Sequence, residues 1–357
     1  MPSIYGEKIH VSIFGQSHSA AIGVVIDGLP AGVKIDMIEL GRFMARRAPG
    51  QGKYATARKE ADLPEFVSGV VDDVTCGAPV CALIRNTDTR SGDYANLRDV
   101  PRPSHADYPA YVKFGAAHDI RGGGHFSGRL TAPLCIAGGI ALQMLRARGV
   151  SIGAHIASVG SVNDARFDAV NVSTSDFDKI AANGFPVLDW QAGEKMLAEI
   201  ESARADADSI GGTIECAAVG LPVGLGDALF GGLEGRMSMA LFGVPAVKGV
   251  EFGNGFECAT LRGSQNNDPF VIENGKIKTL TNNAGGILGG ITTGMPLIFK
   301  VAIKPTPSIG KPQQSVSLSR MENAELVIKG RHDPCIVPRA VPVIEAATAL
   351  ALLDIML

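Results

Sequence analysis

Residues 131–148 read TAPLCIAGGIALQMLRAR, and this stretch decides how the rest of the chain must be arranged. It is apolar on almost every face and ends in Arg146, Arg148 and Gly149, the cations and left-handed-tolerant residue expected where a helix stops. A helix that is apolar all round belongs between layers. The covering layers are sought in short runs of branched residues bounded by turn formers. Residues 11–14, 22–26, 66–71, 80–84, 213–218 and 295–303 are predicted strands of this kind. Residues 271–280, VIENGKIKTL, carry a central Asn274-Gly275, the strongest hairpin signal in the chain. Residues 341–357, rich in Ala and Leu, predict a second internal helix, and 194–204 an exposed amphipathic one. Strand and helix do not alternate regularly, which disfavours a doubly wound parallel sheet. Antiparallel sheets packed over central helices fit better.

Composition narrows the function. With 357 residues, 46% of them hydrophobic and 19% charged, the chain can bury a substantial core, which excludes disorder. Its 44 glycines exceed the usual share of roughly 7%, as expected where backbone turns tightly or approaches a ligand. A net charge of −3 argues against a general nucleic-acid or membrane surface, and aromatics at 6% (14 Phe, five Tyr, one Trp) are too sparse for stacking on many bases. Cys76, Cys81, Cys135, Cys216, Cys258 and Cys335 form no CxxC pair, so buried free thiols in a reducing compartment are expected. The start, MPSIYGEKIHVSIFG, lacks the basic head and apolar run of a signal peptide. No run reaches about 18 uninterrupted apolar residues, so a cytoplasmic protein with no membrane or nucleic-acid partner is expected. One domain over residues 1–357 is expected, with its weakest seam at 163–189, rich in Asn, Asp and Ser.

The common nucleotide motifs fail. Gly122-x-Gly124 is followed by Ser127 where a dinucleotide loop wants Gly, and Gly52-Lys53 is followed by Tyr54 where a Walker loop wants Ser or Thr. That disfavours a phosphotransferase acting on a nucleotide. There is no HExxH and no Cys/His zinc spacing, so no metal site is expected. What remains is polar chemistry in Gly- and Pro-rich loops: FGQSHS (14–19), RRAPGQGK (46–53), RPSHADY (102–108), RGGGHFSGR (121–129), KPTPS (304–308) and KGRHDPCIVPR (329–339). Arg clamps phosphate or carboxylate, glycine loops let backbone N–H groups reach anionic oxygens, and His trades protons near neutral pH. A lone His is more often structural and an Arg pair is more often a solvated face. Here His18, His105, His118, His125 and His332 all fall in or beside these loops, which shifts the balance toward a site for a small polyanionic substrate.

Taken in order, these segments carry a resemblance. The series FG-x-SH, RR-x-PGQ, RKEAD, RSGDY, RPSHADY, HDIRGGG, AVKGVEFG, RGSQNND, NNAGGILGGI, KPTPSI and GRHDPC resembles the chorismate synthases, from about Tyr5 to the C-terminal helix. The resemblance implies an α+β fold, a β-α-β sandwich of central helices between antiparallel sheets. It also implies internal pseudo-symmetry, with halves meeting near 163–189, and a homotetramer. The implied activity is anti-1,4-elimination of phosphate from 5-enolpyruvylshikimate 3-phosphate to give chorismate, with reduced FMN as cofactor and NADPH as a candidate flavin reductant. Carried over by position, His18 matches a histidine that protonates the reduced flavin and His105 one beside the leaving phosphate. Asp333 matches an aspartate of proton removal, and Ser17 and Ser127 assisting serines. The implied flavin contacts are His125, Phe126, Ser127, Pro245, Ala246, Gly289, Lys304, Pro305, Thr306, Pro307, Ser308 and Arg331, with Arg47 and Lys53 toward a dinucleotide. The cationic candidates for substrate anions are Arg46, Arg47, Arg102, Arg129, Arg331 and Arg339.

The chain departs from the family pattern at Gln16, Ser19, Ala48 and Ser104, and most of all at HFSGR (125–129), where the family has RSSAR. His125 is expected to face a phosphate or the substrate anions in place of that arginine, making binding pH-dependent. The same substitution motivates the alternative of a catalytically impaired flavin-binding paralogue.

Overall fold

The structure, a computed structural model, describes residues 3–50, 62–87, 96–328 and 333–357. From the N-terminus run β1 (Ile4–Tyr5), β2 (His10–Gly15), β3 (Ala21–Asp27), α1 (Met37–Arg47), β4 (Glu65–Ser68), the small β5–β6 pair (Val70–Val71, Val74–Thr75) and β7 (Val80–Arg85). After α2 (Asp107–Phe114) and a glycine-rich turn comes α3 (Thr131–Arg146), then β8 (Ser151–Val159) and β9 (Val162–Asn163). α4 (Thr174–Ala182), α5 (Trp190–Ala205), β10 (Gly212–Val219), α6 (Leu233–Phe242), β11 (Val247–Phe252) and α7 (Gly263–Asn266) follow. The hairpins β12–β13 (Phe270–Glu273, Lys276–Thr279) and β14–β15 (Ile287–Leu288, Ile291–Thr292) precede β16 (Leu297–Ile303). β17–β18 (Gln313–Ser317, Glu322–Leu326) and α8 (Val337–Met356) complete the chain.

Two five-stranded antiparallel sheets result, in the orders β1-β2-β3-β7-β4 and β11-β16-β10-β8-β9. Between them lie α1, α3 and α8, with α3 packed on α1, α8 and the first sheet, and α8 on β8 and β10. This is the sandwich that the all-round apolar helix demanded. Two glycines in α3 explain how closely its neighbours approach. A Cβ on Gly138 would fall 2.2 Å from the Ala346 Cβ of α8, and one on Gly139 would fall 2.5 Å from Leu40 of α1. Adding either methyl would push a core helix away.

Strand alternation assigns the faces. Ile22, Val24 and Ile26 of β3 and Ile214, Cys216 and Ala218 of β10 enter the helical core. On the other face of the second sheet, Ala217 and Ile298 pack with Phe167, Val172, Phe177 and Ile180, so the segment around α4 covers that face. His155 and Glu215 point the same way as Ala217, and that matters below.

Among the described residues, segment 128–146 is long and apolar enough to cross a membrane by length and composition, but 83% of it is buried inside the sandwich. Cys135, Cys216 and Cys335 are buried, and burial pushes the Cys135 and Cys335 thiols up to about 12. Cys76 and Cys258 are exposed, so the expectation of buried thiols fails for them. Cys76 directly follows β6 and Cys258 lies in a short 3-10 helix at 255–260, both outside the apolar runs.

Candidate active site

The turn Arg121–Phe126 organises the site. Gly122, Gly123 and Gly124 have φ of 59°, 85° and 56°, a run of left-handed backbone that side-chain-bearing residues rarely adopt. The missing side chains also make room. A Cβ on Gly122 would lie 2.4 Å from Ser17 Oγ and 2.5 Å from His18 Nδ1, while one on Gly123 would lie 3.2 Å from His105 Nε2. Two histidines from distant loops therefore meet adjacent glycines. The Ser17 amide donates to the Gly124 carbonyl at 3.1 Å, which fixes the 14–19 loop to the turn. Ser127 Oγ accepts from the Arg129 amide and caps the turn leading into α3.

His105 is mostly buried, and its Nδ1 lies 2.6 Å from Asp107 Oδ1. Arg102 holds the same carboxylate through its backbone N–H (3.0 Å), Nε (2.7 Å) and Nη2 (2.8 Å), and its Nη1 donates to Ser308 at 3.2 Å. Burial holds the His105 imidazole below its ordinary pKa; the Asp107 hydrogen bond opposes this, while Arg102 and Lys304 add to it. Burial alone would raise Asp107, but the bonds from Arg102 and His105 hold it well below the usual carboxylate range.

Beside this lies a cationic cluster. Arg47, at the end of α1, is buried and meets Asp62 at 2.6 Å, while its other N–H groups donate to Thr131 and the Gly128 carbonyl. Arg129 meets the other oxygen of Asp62 at 2.5 Å and donates to Asn86. From α8, Arg339 donates to the Arg47 carbonyl and meets Asp333 at 2.5 Å. Among the described residues, three guanidinium groups thus meet Asp62 and Asp333. Burial, followed by repulsion from Arg339, pulls Arg47 down to about 10 despite Asp62. Burial would raise Asp62, but Arg47 and Arg129 hold it low.

The KPTPS segment joins the site through two bonds: the Lys304 amide donates to the Ala246 carbonyl (3.0 Å), and Lys304 Nζ donates to the Ser104 carbonyl (2.8 Å). Pro305 packs on Gly211, and the Thr306 carbonyl accepts from Ser209, so the segment is pinned from below. Ala246 has φ of 75°, a strained value for a residue with a side chain. Pro245 beside it is exposed.

Other expected residues lie elsewhere or are differently engaged. Arg46 makes a bidentate pair with Glu345 of α8 at 2.7 and 2.8 Å and is turned to the helix interface. Gly289 sits in the β14–β15 turn, whose neighbour Gly290 packs on Asp227 and Gly232. His125 has both ring nitrogens engaged within the protein: Nδ1 donates to the Gly15 carbonyl, and Nε2 lies 2.7 Å from Ser3 Oγ. It ties β2 to the N-terminal segment, so the anion contact expected of it finds no open ring nitrogen. Phe126 stands edge-on to His118, ring centroids 5.8 Å apart. Lys53 and Arg331 lie outside the described residues. The sequence reading gave no role to Asp62 or Asp107. The alternation of His105 and Asp107 was visible, but the bridging of two arginines by Asp62 is long-range and left no local mark.

Comparison with known proteins identifies the family. The family model for chorismate synthase matches residues 9–357. A chorismate synthase of Lancefieldella parvula is 47% identical over 365 aligned residues, covering 99% of this chain and 96% of that protein. One of Thermococcus gammatolerans is 47% identical, covering 98% and 96%. A crystal structure of a chorismate synthase superposes with a TM-score of 0.77 at 26% identity, over 98% of this chain and 92% of that one.

Proposed function

The chain belongs to the chorismate synthase family and is a carbon–oxygen lyase acting on a phosphate; from that premise we propose that it eliminates phosphate from 5-enolpyruvylshikimate 3-phosphate in an anti-1,4 sense, with reduced FMN, completing the last common step of the shikimate pathway. The observation that carries this reading is the meeting of His18 and His105 at adjacent glycines, beside a buried cluster that gathers Arg47, Arg129 and Arg339.

Arg47, Arg129 and Arg339 hold the phosphate and carboxylates of the substrate, because buried positive charge is relieved by binding an anion. Arg46 and Arg102 act differently: each is committed to an internal carboxylate and braces the walls. The left-handed glycine turn, Ala246, and Lys304 to Ser308 fit a flavin, since the turn carries no side chains and the KPTPS segment joins the 102–105 loop that faces it through Lys304 and Arg102. Bound reduced FMN supplies electron density to a transition state that loses phosphate; that chemistry belongs to the cofactor. The protein orients the reacting groups, excludes water and moves protons. Neighbours favour exchanging the two histidine roles carried over by resemblance. His105 stands with Ser308 and Lys304 and takes the flavin side, whereas His18, with Ser17, takes the phosphate side. Asp333, held by Arg339, is the acceptor for the substrate proton.

We further propose a cytoplasmic homotetramer with NADPH as flavin reductant; the exposed Leu229, Phe230 and Phe256 support assembly. The test is an anaerobic assay with reduced, oxidised or no FMN. Phosphate and chorismate should form in equal amounts with the reduced cofactor alone. Flavin binding without turnover would favour the impaired paralogue instead.

A further inference from the structure

We infer that Asp107 is the positioning residue for His105: its carboxylate fixes the imidazole with the proton on Nδ1 and turns Nε2, as acceptor, toward the glycine turn. The inference rests on His105 handling a proton. A carboxylate accepts but does not donate, so the 2.6 Å contact between Asp107 Oδ1 and His105 Nδ1 places an N–H at Nδ1; Arg102 Nη2 lies 3.2 Å from the same nitrogen, the longer contact, and already donates to Asp107 Oδ1 at 2.8 Å. In a neutral imidazole the other nitrogen is then the acceptor, and the hydrogen bond on one nitrogen decides the state of the other. Nε2 faces Gly123, where an added Cβ would lie 3.2 Å from it and 3.7 Å from the Ser127 Cβ. The ring therefore presents its free lone pair where Ser127 and the glycine backbone converge.

The orienting carboxylate is itself held. Asp107 is 1% exposed and accepts from the Arg102 backbone N–H, Nε and Nη2. It also occupies the first turn of α2, where the helix N-terminus favours negative charge. Arg102 continues to Ser308, so one rigid chain of contacts runs from the KPTPS segment through Asp107 to His105. The charged groups facing His105 are Asp107, Arg102 and Lys304, and burial with the two cations outweighs Asp107 in setting its charge. The imidazole is thus neutral at pH 7, and Nε2 takes up a proton before passing it to the flavin. A residue that served only to pair Arg102 would not need an oxygen on the imidazole as well.

The test is Asp107→Asn, with kinetics and the ¹⁵N spectrum of histidine-labelled protein read together. Because the amide can donate toward Nδ1, the ring should shift to the Nε2–H tautomer. The kcat should fall about 10²-fold, the lower range of general acid–base contributions, with KM for the substrate within about twofold of wild type by the same argument, since the substrate arginines are untouched. A tautomer change without loss of kcat would overturn the positioning role alone. His105→Ala at wild-type kcat would defeat the proton-handling role of His105 and this inference with it. Should Asp107→Asn fail to fold, the wild-type spectrum still decides: Nδ1–H supports the assignment and Nε2–H overturns it.

Discussion

Two mostly buried histidines are pushed in opposite directions by their neighbours. His105 faces one carboxylate, an arginine and a lysine, and its pKa is lowered. His155, on the averted face of the second sheet, is fully buried between two carboxylates, Asp164 on Nδ1 and Glu215 on Nε2, both at 2.9 Å. Burial opposes its charge, but the hydrogen bonds its ring donates to both carboxylates overcome this and raise its pKa. Glu215 stands opposite Lys300, and Lys300 opposite Glu251, so charges alternate across four strands. The difference is one of balance. The His155 row neutralises itself and holds the 164–189 segment, since Asp164 also accepts the Leu188 and Asp189 amides. Among the described residues, the site around His105 and Arg47 gathers cations from three elements, an arrangement that suits the anionic substrate proposed above.

The signs follow from linkage. A raised folded pKa means that the stability from His155 is present below about 6.5 and lost as pH climbs through the higher folded value. A lowered folded pKa means the reverse for His105: its contribution is present above about 6.5 and lost as pH falls through the lower folded value.

The largest expected effect breaks the balanced region. His155→Ala leaves Asp164 and Glu215 facing each other unpaired, a change worth about 3–5 kcal/mol. Denaturant unfolding should show that loss, while KM of the folded fraction stays unchanged. Next comes the unbalanced region. Arg47→Met leaves Asp62 still paired with Arg129, so the fold should survive. Loss of a charge-assisted bond of about 1.5–3 kcal/mol should weaken substrate binding more than tenfold, as read by titration. A smaller effect is expected at His125. Because its ring is committed to Ser3 and Gly15, His125→Gln should leave the pH dependence of FMN binding between about 5.5 and 8, a window spanning the imidazole range, as in wild type. The smallest is Arg146→Ala, which removes an exposed pair with Glu39. It should move stability by less than about 1 kcal/mol, and a larger thermal shift would mean that the balance argument undervalues surface charge.

Much of this was legible in the chain. The helices at 131–148 and 341–357 mark the core because no face of either is polar; α8 simply starts earlier, at Val337, with Pro338 accommodated in its first turn. Asn274-Gly275 is the hairpin turn as expected. β8 went unread because its outward residues are not solvated. Gly153 lies against Phe177 and His155 against two carboxylates, so SIGAHIASV shows no clean alternation. The loops bearing Ser17, His18, His105 and Ser127 were found, and the structure brings them together at one turn. Arg46 and Arg47 could not be told apart. Neighbours on a helix point about 100° apart, and only the fold decides that one meets Glu345 and the other Asp62.

The opposed charge states of the two histidines can be seen directly by neutron diffraction from a perdeuterated crystal at pH 7. The account expects deuterium on both nitrogens of His155 and on Nδ1 alone of His105. A neutral His155 beside a doubly protonated His105 would contradict it.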